Sequence, residues 1–256
     1  MYLSVVIPAY NEEKRIGSTL KSIDEYLRRQ SYGPFDKTQG HPERSRTDDY
    51  EILVVSDGSK DNTADLVNGL RSEIVGLRLI DNKENHGKGY VVKQGMLEAK
   101  GGLRLFTDAD NSTAIDYLDK FIPYINQGYS VVIGSIGISG HKVASGSEPV
   151  WRRILGKLGN LFIQTIAVPG IQDTQRGFKL FTADAVNKVF PRLTITRWGF
   201  DIEVLALARK FSYKIKELPV DWKNDPNSKV GLKAYFQVLL ETIKIRWNLI
   251  TGVYNK

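Results

Sequence analysis

Two aspartates separated by one residue are the clearest chemical signal in the sequence. Asp108 and Asp110 directly follow residues 105–107, which are predicted to end a strand. Carboxylates this close repel one another unless a cation or a proton lies between them. Mg²⁺ and Mn²⁺ prefer oxygen ligands and often share them with substrate phosphates. The pair therefore predicts a divalent metal site that neutralises charge on a departing diphosphate.

Polar turns also follow three other predicted strands, at residues 8–12, 56–59 and 85–89. The glycines in the last two turns allow tight bends and a close approach of the backbone to a ligand. In an open sheet, ligands bind at the carboxyl ends of the parallel strands. The four turns are therefore expected to lie side by side and to form one binding site.

The elements that would carry these turns alternate along the chain. Strands are predicted at 3–7, 51–56, 77–80, 103–107 and 130–134, and helices at 12–29, 61–74 and 88–100. Residues 5–7 and 52–55 are apolar without alternation, which is typical of strands covered on both faces. The pattern predicts an α/β fold with a mostly parallel sheet flanked by helices, and residues 1–256 are expected to form a single domain.

Composition limits the chemistry and the partners. The chain has no cysteine, which excludes disulfides, thiolate metal sites and a cysteine nucleophile. Its 36 basic and 29 acidic residues give a net charge of +7, which suits an anionic partner such as phosphate, nucleic acid or an acidic membrane. The turn at 85–89 lacks the third glycine of a dinucleotide-binding motif. No leader and no run of eighteen apolar residues are visible, so any membrane contact is expected to be peripheral.

Three segments stand apart from the alternating pattern. Residues 31–49 combine prolines, glycines and many charges, which predicts a mobile insertion; a functional lid is the alternative. Residues 151–168 and 231–254 are amphipathic and carry tryptophan beside basic residues. Such helices can pack on a core or lie among lipid headgroups, so both are candidate membrane-interface helices. In the second helix, one predicted face holds Leu232, Tyr235, Phe236, Leu239, Leu240, Ile243, Trp247 and Ile250.

The motifs, taken in order, resemble those of inverting glycosyltransferases of the GT-A fold. The resemblance is carried first by residues 5–12, 54–59, 85–89 and 108–110. In the second half, residues 173–179, 197–203 and 217–229 are similar to dolichyl-phosphate glucosyltransferases and their prokaryotic polyprenyl-phosphate relatives. The resemblance extends over nearly the whole chain apart from the segment 31–49.

The resemblance implies that one group of residues binds a nucleotide-sugar donor: Pro8, Tyr10, Glu12, Asp57, Lys88 and Asp108. The first three would line the pocket for the base and ribose. Asp57 would contact the same part of the nucleotide, and Lys88 would lie near the donor. From the residues alone, Asp57 has another interpretation, as a cap on the helix that begins near Asp61.

A second group is implied to act on the metal, the sugar and the acceptor: Asp110, Asp173, Gln175 and Lys229. Asp110 would share Mg²⁺ or Mn²⁺ with Asp108 and would be the more direct ligand. Asp173 and Gln175 would lie near the transferred sugar or the acceptor, and Lys229 would help neutralise phosphate. The alternatives are a solvated turn for the aspartate pair, a structural turn at Asp173 and a solvated lysine at 229.

Two positions depart from the family pattern. Many relatives carry an arginine after Gly-Ser at the fifth strand, where this chain has Ile136. The cysteine common in the Asp-Thr-Gln motif is replaced by Arg176, which adds positive charge near the expected acceptor. If the missing arginine normally contacts a phosphate, another cation must replace it, and the candidates are Lys142, Arg152 and Arg153.

The resemblance implies inverting transfer of a sugar, with UDP-glucose as the expected donor and a polyprenyl phosphate as the acceptor, at the cytoplasmic face of a membrane. The attacking phosphate is already anionic at neutral pH and needs little help from a general base. One alternative is a mannosyltransferase that uses GDP-mannose. Another is a non-catalytic protein that binds a nucleotide-sugar or nucleic acid, although the chain lacks nucleic-acid motifs and no nucleic-acid partner is expected.

Overall fold

A seven-stranded sheet forms the centre of the computed structural model, which describes residues 1–30, 50–139, 150–222 and 232–255, with the side chains of 150–155, 157 and 232 left out. The strands are β1 (Leu3–Ala9), β2 (Tyr50–Asp57), β3 (Leu77–Asn82), β4 (Leu103–Thr107), β5 (Val131–Ser135), β6 (Phe178–Thr182) and β7 (Ile215–Pro219). Their spatial order is β3-β2-β1-β4-β6-β5-β7.

The sheet is parallel except at β6, which runs antiparallel to both of its neighbours, β4 and β5. The carboxyl ends of the six other strands therefore lie along one edge, together with the beginning of β6. We refer to this edge as the carboxyl edge. Ligands of open α/β sheets bind along such an edge.

Helices cover both faces of the sheet. They are α1 (Ile16–Arg29), α2 (Thr63–Leu70), α3 (Lys88–Glu98), α4 (Leu118–Asn126), α5 (Val150–Ile166), α6 (Ala183–Val189), α7 (Phe200–Lys210) and α8 (Leu232–Thr251). Short 3₁₀ turns lie at Ile115–Tyr117, Phe190–Arg192 and Val253–Asn255.

The apolar runs of the strands divide between the two faces of the sheet. In β1, Val5 and Ile7 pack in the cluster that includes α1 and α4, whereas Val6 packs in the cluster that includes α3, α6 and α7. Successive side chains of a strand point to opposite faces, so a strand covered on both sides must be apolar throughout. The predicted α/β fold, with a mostly parallel sheet flanked by helices, is confirmed.

The predicted element bounds need small corrections. The helix predicted from residue 12 begins at Ile16, because the Glu12 carbonyl oxygen accepts hydrogen bonds from the amides of Arg15 and Ile16 in a preceding turn. The helix predicted at 61–74 is confined to Thr63–Leu70, and the helix predicted to end at residue 100 ends at Glu98. The predicted mobile insertion at 31–49 lies outside the described residues.

A buried carboxylate ties the opposite edge of the sheet together. Glu51 is 1% exposed and accepts hydrogen bonds from the Ser4 hydroxyl at 2.6 Å and the Lys100 amide at 2.7 Å. The Arg78 guanidinium lies 2.5 Å from its other oxygen. Burial alone would raise the pKa of Glu51, but these donors together lower it.

We expect Glu51→Gln to lower the free energy of unfolding by about 1–3 kcal/mol at pH 7, because one buried donor loses its acceptor. A carboxyl whose pKa is lower in the folded state stabilises the fold above its unfolded pKa and loses that contribution as the pH falls through the folded value. The difference between the proteins should therefore shrink below about pH 4. Urea denaturation followed by circular dichroism measures both effects. Glu25→Gln, at an exposed position of α1, is the control, and a pH-independent difference would contradict the assignment.

Candidate active site

The aspartate after β4 is held between a lysine and a glycine. The ammonium of Lys88, the first residue of α3, lies 2.7 Å from Oδ1 of Asp108. On the other side, the carboxylate presses against Gly177, where an added Cβ atom would lie 1.9 Å from Oδ2. The Asp108 amide also donates to the Gly177 carbonyl oxygen at 3.1 Å. Glycine at 177 is therefore required for the observed position of Asp108.

Lys88 lies in a pocket of mixed character. Its ammonium is 5.5 Å from the ring centroid of Phe106 and 5.7 Å from that of Trp198. Burial alone would lower the pKa of Lys88, but the carboxylates of Asp108 and Asp201 raise it. The lysine therefore carries its positive charge at neutral pH, directly beside the aspartate pair.

A second ion pair lies beneath the first. Lys179 in β6 is 1% exposed, and its ammonium lies 2.5 Å from the carboxylate of Asp201 in α7, which is 5% exposed. Lys179 also donates to the carbonyl oxygen of Arg176. Burial raises the pKa of Asp201, although Lys179 and Lys88 oppose the shift. Positive and negative groups thus alternate from the surface into the interior.

Sequence reasoning missed this second pair. Asp201 lies in the first turn of α7, where an acidic residue is common whatever it contacts. The available signal was Lys179, which stands between Phe178 and Leu180 in a strand that is otherwise buried. A lysine in such a strand requires a buried partner, because an unpaired charge there would cost several kcal/mol.

Asp110 lies on the rim of the site and is partly exposed. Its Oδ1 accepts a hydrogen bond from the Ser112 amide at 2.9 Å, and the turn is closed by Asn111 with φ of 52°. Among the described residues there is no group of three or more histidines, aspartates or glutamates placed to hold a metal ion. The carboxylate oxygens of Asp108 and Asp110 are of the kind that Mg²⁺ and Mn²⁺ prefer, and water and substrate phosphate oxygens would have to supply the remaining ligands.

The turns after β1 and β2 are fastened to each other. The Asn11 amide donates to the Ser59 hydroxyl at 3.1 Å, and the Glu12 amide donates to the Thr63 hydroxyl at 2.8 Å. Asn11 has a positive φ of 54°, which bends the chain sharply after the strand. The two turns therefore form one continuous surface.

The three residues predicted to line the nucleotide pocket lie in the first of these turns or just before it. Pro8 is buried within β1, and Tyr10 is 36% exposed at the carboxyl edge. The Glu12 carboxylate lies 2.6 Å from the Arg15 guanidinium. The structure thus brings Tyr10 and Glu12 to the same edge as Asp108.

Asp57 shapes the turn that precedes Lys88. It is 3% exposed, and its two carboxylate oxygens accept hydrogen bonds from the amides of His86 at 2.7 Å and Gly87 at 3.0 Å. The alternative interpretation of Asp57 as a cap on α2 is wrong, because the side chain reaches the turn before α3 instead. At the N-terminus of α2, the Asp61 carboxylate accepts a hydrogen bond from the Thr63 amide at 3.0 Å.

A loop at residues 194–199 covers the same turn. The carbonyl oxygen of Thr196 accepts a hydrogen bond from the Tyr90 amide at 3.1 Å, and Gly87 packs directly against it. Glu203, fully buried in α7, accepts hydrogen bonds from the Thr194 amide at 3.0 Å and from the Tyr254 hydroxyl at 2.6 Å.

The same loop is also held by α8. The Gly199 amide donates a hydrogen bond of 2.6 Å to the Glu241 carboxylate. Trp198 is thereby fixed near Lys88. The sequence did not predict the bonds from Gly199 to Glu241 and from Tyr254 to Glu203, because each joins segments more than 40 residues apart.

The two departures from the family pattern meet at one carboxylate. Asp173 accepts hydrogen bonds from the amides of Ile136 at 3.1 Å and Gln175 at 3.2 Å, and from Nε of Arg176 at 2.8 Å. Its own amide donates to Glu217 at 2.8 Å. These contacts are those of a turn-forming aspartate, and the Gln175 side chain is exposed beside it.

Four predicted cations cannot be placed in the site. Lys142 and Lys229 lie outside the described residues, and the side chains of Arg152 and Arg153 are not described. Their predicted roles stay predictions.

An apolar stripe runs along the outer face of α8. Five of its side chains are more than half exposed and recur at helical spacing: Phe236, Leu240, Ile243, Trp247 and Ile250. The inner face packs on the protein through Val238, Thr242 and Ile245. In the described part of the chain, no helix is both long enough and apolar enough to span a membrane.

The sequence and the fold together place the chain among glycosyltransferases. Residues 4–190 match the model of glycosyl transferase family 2, and the chain belongs to this family. It is 34% identical to a dolichyl-phosphate beta-glucosyltransferase of Dictyostelium discoideum, covering 99% of this chain and 76% of that protein. It is also 31% identical to a human protein of the same name, covering 98% and 77%.

Crystal structures of other glycosyltransferases share the GT-A fold. A glucosyl-3-phosphoglycerate synthase from Mycobacterium tuberculosis, in complex with Mn²⁺, UDP and glucosyl-3-phosphoglycerate, aligns with a TM-score of 0.66 at 16% identity, covering 96% of this chain and 79% of the other. A mannosyltransferase from Pyrobaculum calidifontis, in complex with GDP-Man and Mn²⁺, aligns with a TM-score of 0.58 at 20% identity, covering 98% and 64%. These similarities confirm the fold.

We expect Gly177→Ala to lower kcat by about 100-fold, because the methyl group displaces Asp108 and misplacement of a reacting group by about 1 Å can cost that much. The thermal midpoint should change little, since both residues lie at the edge of the core. Gly102→Ala is the matched control, because its nearest non-neighbouring atom lies 3.8 Å from an added Cβ. Full activity of Gly177→Ala would show that the position of Asp108 does not matter.

Proposed function

We propose that the protein transfers glucose from UDP-glucose, with inversion, to the phosphate of a polyprenyl lipid of the dolichyl type. The observation that carries the proposal is similarity over nearly the full chain, at 31–35% identity, to dolichyl-phosphate beta-glucosyltransferases. The acidic and basic groups along the carboxyl edge provide the chemistry that such a transfer needs.

The donor would lie across the turns after β1, β2 and β3. Tyr10 would offer its exposed ring to the base. Glu12 would contact the ribose, while Asp57 would act mainly by holding the turn before Lys88. Because Lys88 is charged and lies beside Asp108, it would stabilise the negative diphosphate. Pro8, which is buried, would shape the floor of this pocket.

Asp108 and Asp110 would hold Mg²⁺ or Mn²⁺, with Asp110 the more exposed ligand. When bound, the metal supplies charge neutralisation for the leaving diphosphate. The ion pair of Lys88 with Asp108 fixes one ligand in advance, so little reorganisation accompanies the reaction. The Mn²⁺ complexes of the similar structures support this use of the pair.

Attack by the lipid phosphate would require no strong base. A phosphate monoester is anionic at neutral pH, so its oxygen can attack the anomeric carbon directly. Asp173 already accepts hydrogen bonds from two amides and from Arg176. It would therefore act by shaping the acceptor site together with Gln175, rather than by removing a proton.

The membrane surface is the expected place of reaction, since the acceptor is a lipid. The apolar stripe of α8 is flanked by the exposed basic residues Lys233, Lys244 and Arg246. On α5, which packs against α8, Leu158 and Leu161 are 60% and 61% exposed. Apolar side chains beside basic ones suit the headgroup layer of an anionic membrane. We propose peripheral binding at the cytoplasmic face through α8 and α5.

The activity is tested with radiolabelled UDP-glucose, Mg²⁺ and polyprenyl phosphate. We expect label to enter the lipid phase, and a parallel reaction with GDP-mannose to give none. Transfer from GDP-mannose alone would replace the proposed donor. Absence of lipid-linked label from both donors would overturn the proposed function.

We expect Asp110→Asn to reduce transfer by about 100-fold to 1,000-fold, the usual cost of removing a group that stabilises charge in the transition state. The fold should be retained, because the side chain is partly exposed. Asp116→Asn, an exposed neighbour in the following 3₁₀ turn, is the control. Activity of Asp110→Asn close to that of the control would contradict a metal-binding role.

Flotation with liposomes that contain anionic lipid tests the membrane surface. We expect the double variant Leu240→Ser/Trp247→Ser to lose most of its vesicle binding, because burial of each large side chain contributes about 1.5–3 kcal/mol. Val75→Ser, which removes an exposed apolar side chain from the loop before β3, should float like the wild type. Equal flotation of all three proteins would exclude α8 as the contact.

A further inference from the structure

Most of the cationic side chains described near Asp108 and Asp110 already form an ion pair with a carboxylate of the protein. The ammonium of Lys88 lies 2.7 Å from Asp108. Lys179 is almost completely buried and bonded to Asp201. Transfer to a lipid phosphate brings an additional phosphate group to this edge beside the diphosphate of the donor. A further cation must face that group, because phosphate needs both charge and hydrogen-bond donors.

Arg176 has the geometry of such a cation. Its Nε donates to Asp173 at 2.8 Å, and its guanidinium carbon lies 4.5 Å from the ring centroid of Trp222. The side chain is 24% exposed. Among the described residues, its terminal amino groups have no hydrogen-bond acceptor. The guanidinium is thus held at Nε by Asp173 and on one planar face by the Trp222 ring. Its terminal amino groups remain available to donate hydrogen bonds to a ligand.

The position of Arg176 in the sheet indicates which substrate it faces. The expected base and ribose turns follow β1 and β2, on one side of Asp108. Arg176 directly precedes β6, on the other side of Asp108. It contacts Asp173, whose carboxylate accepts from the Ile136 amide just after β5, and Trp222, which follows β7. Gly177, its direct neighbour, touches the Asp108 carboxylate. In an in-line displacement, the attacking group approaches from the side opposite the leaving group.

We propose that Arg176 binds the phosphate of the acceptor, with Asp173 and Trp222 as the residues that orient its guanidinium. The assignment rests on the proposed function, since it names the acceptor phosphate of that reaction. A guanidinium can donate two parallel hydrogen bonds to a phosphate, whereas the ammonium of lysine acts as a point charge. Arg176 thus supplies positive charge on the side of the site where Ile136 has none.

The test measures both substrates separately in three variants. Arg176→Gln removes the positive charge, whereas Arg176→Lys keeps the charge but lacks the paired N–H donors of a guanidinium. Arg71→Gln is a control at the exposed end of α2. For Arg176→Gln we expect the KM for polyprenyl phosphate to rise at least about tenfold, with a KM for UDP-glucose within about twofold of wild type. Arg176→Lys should lie between wild type and Arg176→Gln.

Direct binding separates this assignment from the proposed function. Calorimetry with citronellyl phosphate, a short water-soluble isoprenyl phosphate, needs no donor and no turnover. We expect wild type and Arg71→Gln to bind it and Arg176→Gln to bind at least about tenfold more weakly. Equal binding by Arg176→Gln, or equal losses for both substrates together with a lowered thermal midpoint, would overturn the assignment. If wild type binds the probe but transfers no glucose, the proposed function fails and the assignment of Arg176 as a phosphate ligand stands.

Discussion

The antiparallel pairing of β6 with β4 is the constraint on which the rest of the site depends. Because β6 begins where β4 ends, Gly177 lies directly against the carboxylate of Asp108. The same pairing brings Arg176 to the carboxyl edge and turns Lys179 inward toward Asp201. A parallel strand at this place would have presented its opposite end. The one antiparallel strand, with the residues just before it, therefore supplies Gly177 beside Asp108, the partly exposed Arg176 and the buried Lys179.

The charged side chains at the carboxyl edge are already paired with one another in the protein without substrate. Lys88 and Asp108 form one ion pair, and Lys179 and Asp201 form another beneath it. The second pair is almost fully buried, so the cost of desolvating its charges offsets much of their attraction, whereas the first pair is partly exposed. Their value lies in orientation, because groups that are held in place need not reorganise when charge moves during a reaction. The charged groups at the carboxyl edge are thus already ordered in the structure.

The sequence predicted the first five strands well, and the turns after the first four, because these are local patterns. An apolar run followed by Asp108 and Asp110 specifies both the strand and the acids at its end. The groups that position those acids were not predicted. The contact of Gly177 with Asp108 depends on strand register, and the bond between Gly199 and Glu241 depends on how a distant helix packs. Neither contact can be predicted from the spacing of apolar and polar residues within one segment.

Asp57 shows why a local interpretation failed. An acid a few residues before a helix is a plausible cap, and the next helix along the chain is α2. In the folded protein, its nearest amides belong to His86 and Gly87, because neighbouring parallel strands place their following turns side by side. The partner of Asp57 follows from the pairing of β2 with β3 in the sheet, and not from which helix comes next along the chain.

The two faces of α8 differ in chemistry. Its outer face is apolar, whereas its inner face supplies the carboxylate of Glu241 that holds the Gly199 amide, next to Trp198 and Lys88. The helix is therefore an integral part of the fold. A chimaera in which another amphipathic helix takes its place would lose the acceptor of the Gly199 amide. Under the function proposed above, one exchange would therefore disturb both lipid attachment and sugar transfer.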